Sequence, residues 1–476
     1  MAFVRAALRL GLVVISPSAC RSRPVEPEPT KLQSTEAPAA VDRGTAARTP
    51  AGEYISWREH IIDDRTVGGV PIAGGDGLAM ADLDRDGHGD VVSVHESDTE
   101  YDGTARGHVR VAFAAATPDV WELATLAEGA DAAAAEDVAI GDLNRDGHPD
   151  VVVACELAHL LYLQNPGATA RSARWERVIP PVTTGRGSFI RVALADFDGD
   201  GRLEVVTANK GAQNPDPKDR EPRAISVFEI TGDPLQASSW KEHVLGRVAV
   251  PINARPVDLD GDGDLDVVGG SRNEQRILWF ENRSKGELAF VEHAIEIADP
   301  HEHVTGFSLA FADENDDGRV DVVLSEAASR LVWLEQPATA STPWRLHDIG
   351  TIAPDFLVGL TLADIDGDGD GDAIVGGYSW GPRDRDGDVT AKDPLGRLAW
   401  FEHPTDPSGA WPRHDISRRK RGMFDGFVGV DLDTDGDVDF AATRGNSAPF
   451  DGVFWLEQVR TRARTDDSEE APFPPD

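Results

Sequence analysis

The sequence predicts an all-β fold, a seven-bladed β-propeller whose last blade is completed by a strand from the N-terminal side. Three observations carry this. An acidic nine-residue stretch recurs seven times, its copies starting 60, 54, 62, 55, 51 and 67 positions apart. Every copy sits between two short apolar runs, and an aromatic run and a Trp-containing segment follow in most units. One such Trp-His segment is left over before the first copy and none follows the last.

Taken in order, the chain opens with MAFVRAALRLGLVVISPSAC (residues 1–20), where Arg5 and Arg9 precede a short apolar stretch and a run of small residues. This is a signal-peptide pattern, too short to cross a bilayer. Cys20 stands where bacterial lipoprotein signals carry their lipid-modified cysteine, although Pro17 replaces the usual aliphatic residue. Export is therefore expected, to the periplasm, the cell surface or the medium, with a lipid anchor at Cys20 as the one membrane attachment. Residues 21–52 are rich in Pro, Ala, Thr and Glu without apolar period and read as a disordered tether, as does the acidic tail 461–476. The propeller is expected over 53–460.

Each repeat unit reads as four strands. A segment such as RVALA (191–195) precedes the acidic stretch, and a β-branched run such as VVVA (151–154) follows it. Next comes an aromatic strand, as in ILWFEN (277–282), LVWLEQP (331–337) and LAWFEHP (398–404). A fourth segment reads WKEHVL (240–245), WRLHDI (344–349) or WPRHDI (411–416). Four-stranded units in this number imply a propeller. The leftover segment WREHII (57–62) is expected to supply the outer strand of the last blade, which removes two open sheet edges. Trp and His recur from unit to unit, so they are read as packing between blades rather than as chemistry.

The acidic stretches follow D-x-[DN]-x-D-G-x-x-[DE]. Side-chain oxygens stand at positions one, three, five and nine: Asp82, Asp84, Asp86 and Asp90; Asp142, Asn144, Asp146 and Asp150; Asp196, Asp198, Asp200 and Glu204; Asp258, Asp260, Asp262 and Asp266; Asp313, Asn315, Asp317 and Asp321; Asp364, Asp366, Asp368 and Asp372; Asp431, Asp433, Asp435 and Asp439. Position six is always Gly, which allows the sharp turn that wrapping an ion demands. Hard oxygens without His or Cys select Ca²⁺, then Mg²⁺. Up to seven structural Ca²⁺ are expected, and they would move the formal net charge from −38 to −24. That charge also makes nucleic acid a poor partner. The two cysteines, Cys20 and Cys155, offer no disulfide framework.

These units resemble FG-GAP repeats, also called VCBS repeats, which form the seven-bladed head of integrin α subunits. The resemblance spans about residues 53–460, and DLDGDGDLDVVGGSRNEQRILWFEN (258–282) is closest to the bacterial VCBS branch, although the FG and GAP tripeptides are largely absent. That branch also resembles the propeller of aldos-2-ulose dehydratase and of some polysaccharide lyases. The resemblance implies the fold and the calcium loops; it leaves function open.

Function is expected on the opposite face, built from loops before first strands and after second strands. There the residues differ from blade to blade. They include His95, Glu96, Glu156, Lys210, Arg272, Tyr378, Trp380 and Arg444 after second strands, and Asp76, Glu136, Asp137, Arg191, Arg255, His301, His303 and Asp425 before first strands. A binding module for a glycan or protein at the cell surface is the leading reading, with His95, Glu156, Tyr378, Trp380, His301 and Arg444 as ligand contacts. A carbohydrate lyase or dehydratase is the alternative, with His303, Lys210, Arg255 and Arg272 as its catalytic set. His301 and His303, with His95 and a nearby Glu, also make a candidate transition-metal site.

Overall fold

The computed structural model describes residues 46–97, 101–339, 342–353, 355–378, 396–419, 423–445 and 451–462. The leader with Cys20, the tether before residue 46 and Trp380 lie outside the described residues, as does the tail after residue 462.

Alternating Val-rich segments pair into seven antiparallel four-stranded sheets. Blade four is representative, with strands Pro251–Val257, Asp266–Ser271, Arg276–Asn282 and Phe290–Ala294 in that spatial order. Its second strand is buried along its whole length, as expected for a strand covered on both faces. First strands touch first strands from each blade to the next, and those of blades seven and one close the ring. Blade seven is built as the leftover segment predicts: Tyr54–Asp64 pairs with Gly452–Thr461, outside Asp439–Arg444 and Phe427–Val430. Its register sets Trp57 against Gln458 and His60 against Trp455.

The core is not one mass but seven seams. Each apolar cluster joins two neighbouring blades, from Val92, Val111 and Leu161 between blades one and two to Val91, Val453 and Trp455 between seven and one. The third-strand tryptophans lie in these seams, and each carries a fourth-strand histidine of its own blade against it, stacked on Trp279, Trp333 and Trp455 and tilted on Trp400. Ring centroids are 4.1 Å apart for Trp333–His347, 4.3 Å for Trp455–His60 and 4.6 Å for Trp279–His293. Each of these His Nε2 atoms also meets a third-strand glutamate, at 2.8 Å for His347–Glu335 and His293–Glu281 and 2.6 Å for His60–Glu457. The predicted packing role thus belongs to the tryptophans; the histidines cover them from within the blade.

A polar residue ending the third strand ties blades together on the acidic-loop side. Asn165 Nδ2 donates to Leu83 O of the preceding blade (2.8 Å), Asn282 Nδ2 to Phe197 O (2.7 Å), Gln336 Nε2 to Leu259 O (2.7 Å) and Gln458 Nε2 to Ile365 O (3.0 Å). His403 Nε2 occupies the same place beside Glu314 O, at 3.0 Å. Asn165, Asn282 and Gln458 are nearly solvent-free, so their partners have no water to fall back on. Replacing Asn282 by Ala leaves Phe197 O and Leu265 O without their side-chain donor. It is expected to lower stability in urea by about 1–3 kcal/mol. An unchanged unfolding midpoint would show the tie to be dispensable.

Candidate functional sites

The acidic loops connect first to second strands, and their backbone folds as the pattern requires. Gly87, Gly147, Gly201, Gly263, Gly318, Gly369 and Gly436 have φ between 81° and 103°. Position four is left-handed as well, held by Arg85, Arg145, Asp316 and Thr434 at φ 57° to 63° and by Gly199, Gly261 and Gly367 in the other loops. The glycines at position four in three copies were the signal for this second turn, which the pattern reading missed.

Backbone N–H groups then aim the carboxylates. In the first loop, Asp82 accepts from Asp86 N and Gly87 N, Asp84 from Asp86 N, and Asp86 from His88 N, at 2.9 to 3.2 Å. Oxygens converge as a result. One from each of Asp82, Asp84 and Asp90 lies within 4.8 Å of the others, and the same holds for Asp196, Asp198 and Glu204, for Asp258, Asp260 and Asp262, and for Asp364, Asp366 and Asp372. In the fourth loop Asp258 Oδ1 is buried without a hydrogen-bond partner. An orphaned oxygen among converging hard donors fits a dication. Three loops carry a local rival. Arg171 pairs with Asp84 and, at 2.8 Å, with Asp86; Arg202 stands 3.8 Å from Asp200 in the third loop; Arg319 pairs with Asp317 in the fifth.

Position nine does more than the pattern implied. Asp90, Asp150, Asp266, Asp321, Asp372 and Asp439 are at most 1% exposed. One oxygen of each accepts the position-two N–H of its loop, and the other accepts an N–H at the end of the third strand; for Asp90 these are Leu83 N (2.8 Å) and Ala114 N (2.9 Å). Glu204, longer by a methylene, takes only Phe197 N (2.9 Å) among the described residues. Burial pushes these carboxyls up, to about 6 for Asp90, Asp150 and Asp266, about 7 for Asp321 and Asp439, and about 8 for Asp372 and Glu204.

At the other ends of the first strands lies a second polar concentration. Glu136, Glu156, Arg191, Lys210 and Asp425 come together there, from blades two, three and seven. Arg191 reaches Asp425 at 3.0 and 3.2 Å and Glu136 at 3.9 Å, so its guanidinium links blade three to the far side of the ring. Lys210 pairs with Glu156, and Arg255 stands 3.6 Å from Asp137. Burial first, then the neighbouring acids, hold Asp76 and Glu136 well above the usual carboxylate range. Burial lowers Arg272, against the pull of Glu156 and Glu136.

The remaining predicted residues are scattered. His95 is sealed in the second strand of blade one, its Nε2 3.0 Å from Ser93 Oγ, and burial drops it to about 3. His301 and His303 are exposed in the loop before blade five. No contact joins them to His95 among the described residues. Arg444 is 2% exposed with Glu59 at 3.4 Å, and Tyr378 is half-buried at a strand end. The buried Cys155 thiol is pushed up by desolvation.

Residues 82–153, 142–207 and 258–324 match the family model of the FG-GAP-like repeat. These are FG-GAP-like repeats. Together with the seven blades, they make the chain an FG-GAP-repeat propeller. The acidic loops starting at Asp364 and Asp431 keep the same pattern beyond the matched residues. No curated protein matches the chain in sequence. Among solved structures, its fold is similar to BBS1N in complex with ARL6DN, in a crystal soaked with mercury (11% identity, TM-score 0.47) and one soaked with lead (10%, 0.46). Both alignments cover 86% of this chain and 98% of the other.

The position-nine carboxyls give the FG-GAP-repeat ring a pH dependence of definite sign. A carboxyl raised on folding contributes stability below its unfolded value, and that stability is lost as pH rises through the folded value. With a chelator present, melting temperature is expected to fall as pH rises from about 5 and to level off above about 8, once Asp321, Asp439, Asp372 and Glu204 are ionised. Millimolar Ca²⁺, which takes the ionised form, is expected to remove that fall. A flat profile in chelator would contradict the assignment.

Proposed function

We propose that the chain is an exported propeller, stabilised by Ca²⁺ in its acidic loops, that binds a protein ligand at the cell surface through the opposite face. The observation that carries the cation half is the convergence of carboxylate oxygens to within 4.8 Å in loop after loop, with backbone N–H groups aiming them. A Ca²⁺ ion there would neutralise like charges that otherwise push the first and second strands apart. The residues of each loop hold their backbone turn and their carboxylate directions from within. Extracellular oxygen sites of this class bind at about 10⁻⁴ to 10⁻³ M. A site of about 0.1 mM in 1 mM Ca²⁺ adds about 1.4 kcal/mol.

The ligand half rests on the ion-paired mouth. Arg191 joins Glu136 and Asp425 there in ion pairs between blades, which favours a broad, flat contact over a sugar-sized pocket. Lys210 and Arg255 already face Glu156 and Asp137, which speaks for binding over elimination chemistry. Cys20 would tether such a module to the envelope, with the following residues as the spacer.

Two measurements test this. Elemental analysis of purified protein is expected to find calcium, and exhaustive chelation to lower the melting temperature. In cross-linking on intact cells, Arg255→Glu at the mouth is expected to abolish capture of a surface protein while Asp433→Asn in an acidic loop preserves it. Equal capture by both variants would move the binding face elsewhere.

A further inference from the structure

We propose that the mouth of the ring holds a divalent cation of its own, bound by Asp76, Glu96 and Glu136. One oxygen from each of the three lies within 4.8 Å of the other two, and all three side chains are buried. They come from two blades: Asp76 from the first strand of blade one, Glu96 from the end of its second strand, and Glu136 from the first strand of blade two. An ion there would bridge a seam at the axis, at the other end of the strand whose far end leads into the loop of Asp82. The site therefore does not depend on the acidic loops or on a ligand at the mouth.

The independent sign is the state of Asp76. Its side chain is only 2% exposed as a residue, and Oδ2 is cut off from solvent with no hydrogen-bond partner. A buried carboxylate oxygen without a donor is costly and rare. The charged groups acting most strongly on Asp76 are Glu136, Glu96, Asp425 and Glu156, all acids. Of the nearby cations, Lys210 lies against Glu156, and Arg191 lies against Asp425 and reaches Glu136 at 3.9 Å; no ion pair reaches Asp76 among the described residues. An unmatched negative charge in a water-poor place calls for a cation. Three carboxylates without nitrogen or sulfur donors select a hard, oxygen-loving dication such as Mg²⁺, Mn²⁺ or Ca²⁺.

Mn²⁺ soaked into crystals of the full chain is the direct probe, since anomalous scattering at its absorption edge reports positions. The expected result is a peak among the oxygens of Asp76, Glu96 and Glu136, separate from any peak in the acidic loops. In solution, Asp76→Asn is expected to lose one equivalent of bound Mn²⁺ relative to wild type and to keep the loop equivalents. Circular dichroism checks that the variant is folded; if it is not, the wild-type soak decides alone. Loops filled with Mn²⁺ and no peak at the triad would overturn the proposal and leave Asp76 as a buried protonated acid.

Discussion

A buried carboxylate that takes backbone N–H groups from two directions is the constraint on which the ring depends. Asp266 shows it: Leu259 N of the acidic loop meets one oxygen at 3.1 Å, and Asn282 N at the end of the third strand meets the other at 2.7 Å. The same Asn282 then reaches with its side chain to Phe197 O of the preceding blade. Loop, strand end and neighbouring blade are thus fixed by one short chain of bonds. Hydrogen bonds to an ionised acceptor are stronger than neutral ones, and the low dielectric sharpens them. Desolvation opposes this by favouring the protonated form, and a cation in the loop tilts the balance back. The acidic stretch is therefore a structural joint as well as a candidate ion site.

Seams rather than blades carry the apolar core, which makes the joint consequential. A four-stranded blade cannot bury both of its faces alone, so its stability comes from its neighbours. Trp333, for example, packs with Ala373, Val375 and Phe401 of the next blade. Such contacts fix distance but allow sliding. Directional bonds at the loop face, through Asn165, Asn282, Gln336, His403 and Gln458, set the angle between blades. His403 departs from the amides where the preceding loop carries Glu314 in place of an apolar residue. Burial raises that glutamate to about 8, and the imidazole lies 3.4 Å from it. One exchange in a loop is matched by one exchange in the strand that touches it.

Most of the fold was legible because repetition exposes it. The Gly at position six, the alternating apolar runs and the leftover WREHII segment each pointed to a feature with one geometric solution. Less legible was the division of labour within the motif. Position nine reads as one more ligand oxygen, yet burial makes it the joint, and burial is a property of the packed ring. The histidines were placed correctly as structural but not in detail, since stacking on a tryptophan of the same blade follows from cross-strand register. At the mouth, the list of variable polar residues contained the converging charges, but nothing in sequence spacing shows that Arg191 meets Asp425 across the ring. Contacts between positions 234 residues apart come from closure alone.

The two ends of each first strand face different problems, and this explains why one end repeats and the other does not. At the acidic-loop end, seven loops solve the same local task of turning the chain sharply and converging its carboxylates, so the same residues recur. At the axis, strands from all blades converge and share one small volume, where equal charges in every blade would repel without relief. Symmetry is therefore unaffordable there: Asp76 and Glu136 at blades one and two need a partner of opposite sign, and Arg191 and Lys210 at blade three supply part of it. On the far side the chain approaches itself closely instead, and a Cβ at Gly270 would stand 2.2 Å from Thr305 O. Charge on one side and bare backbone on the other make the mouth of a near-symmetric ring asymmetric, and only an asymmetric surface can present a single orientation to a partner.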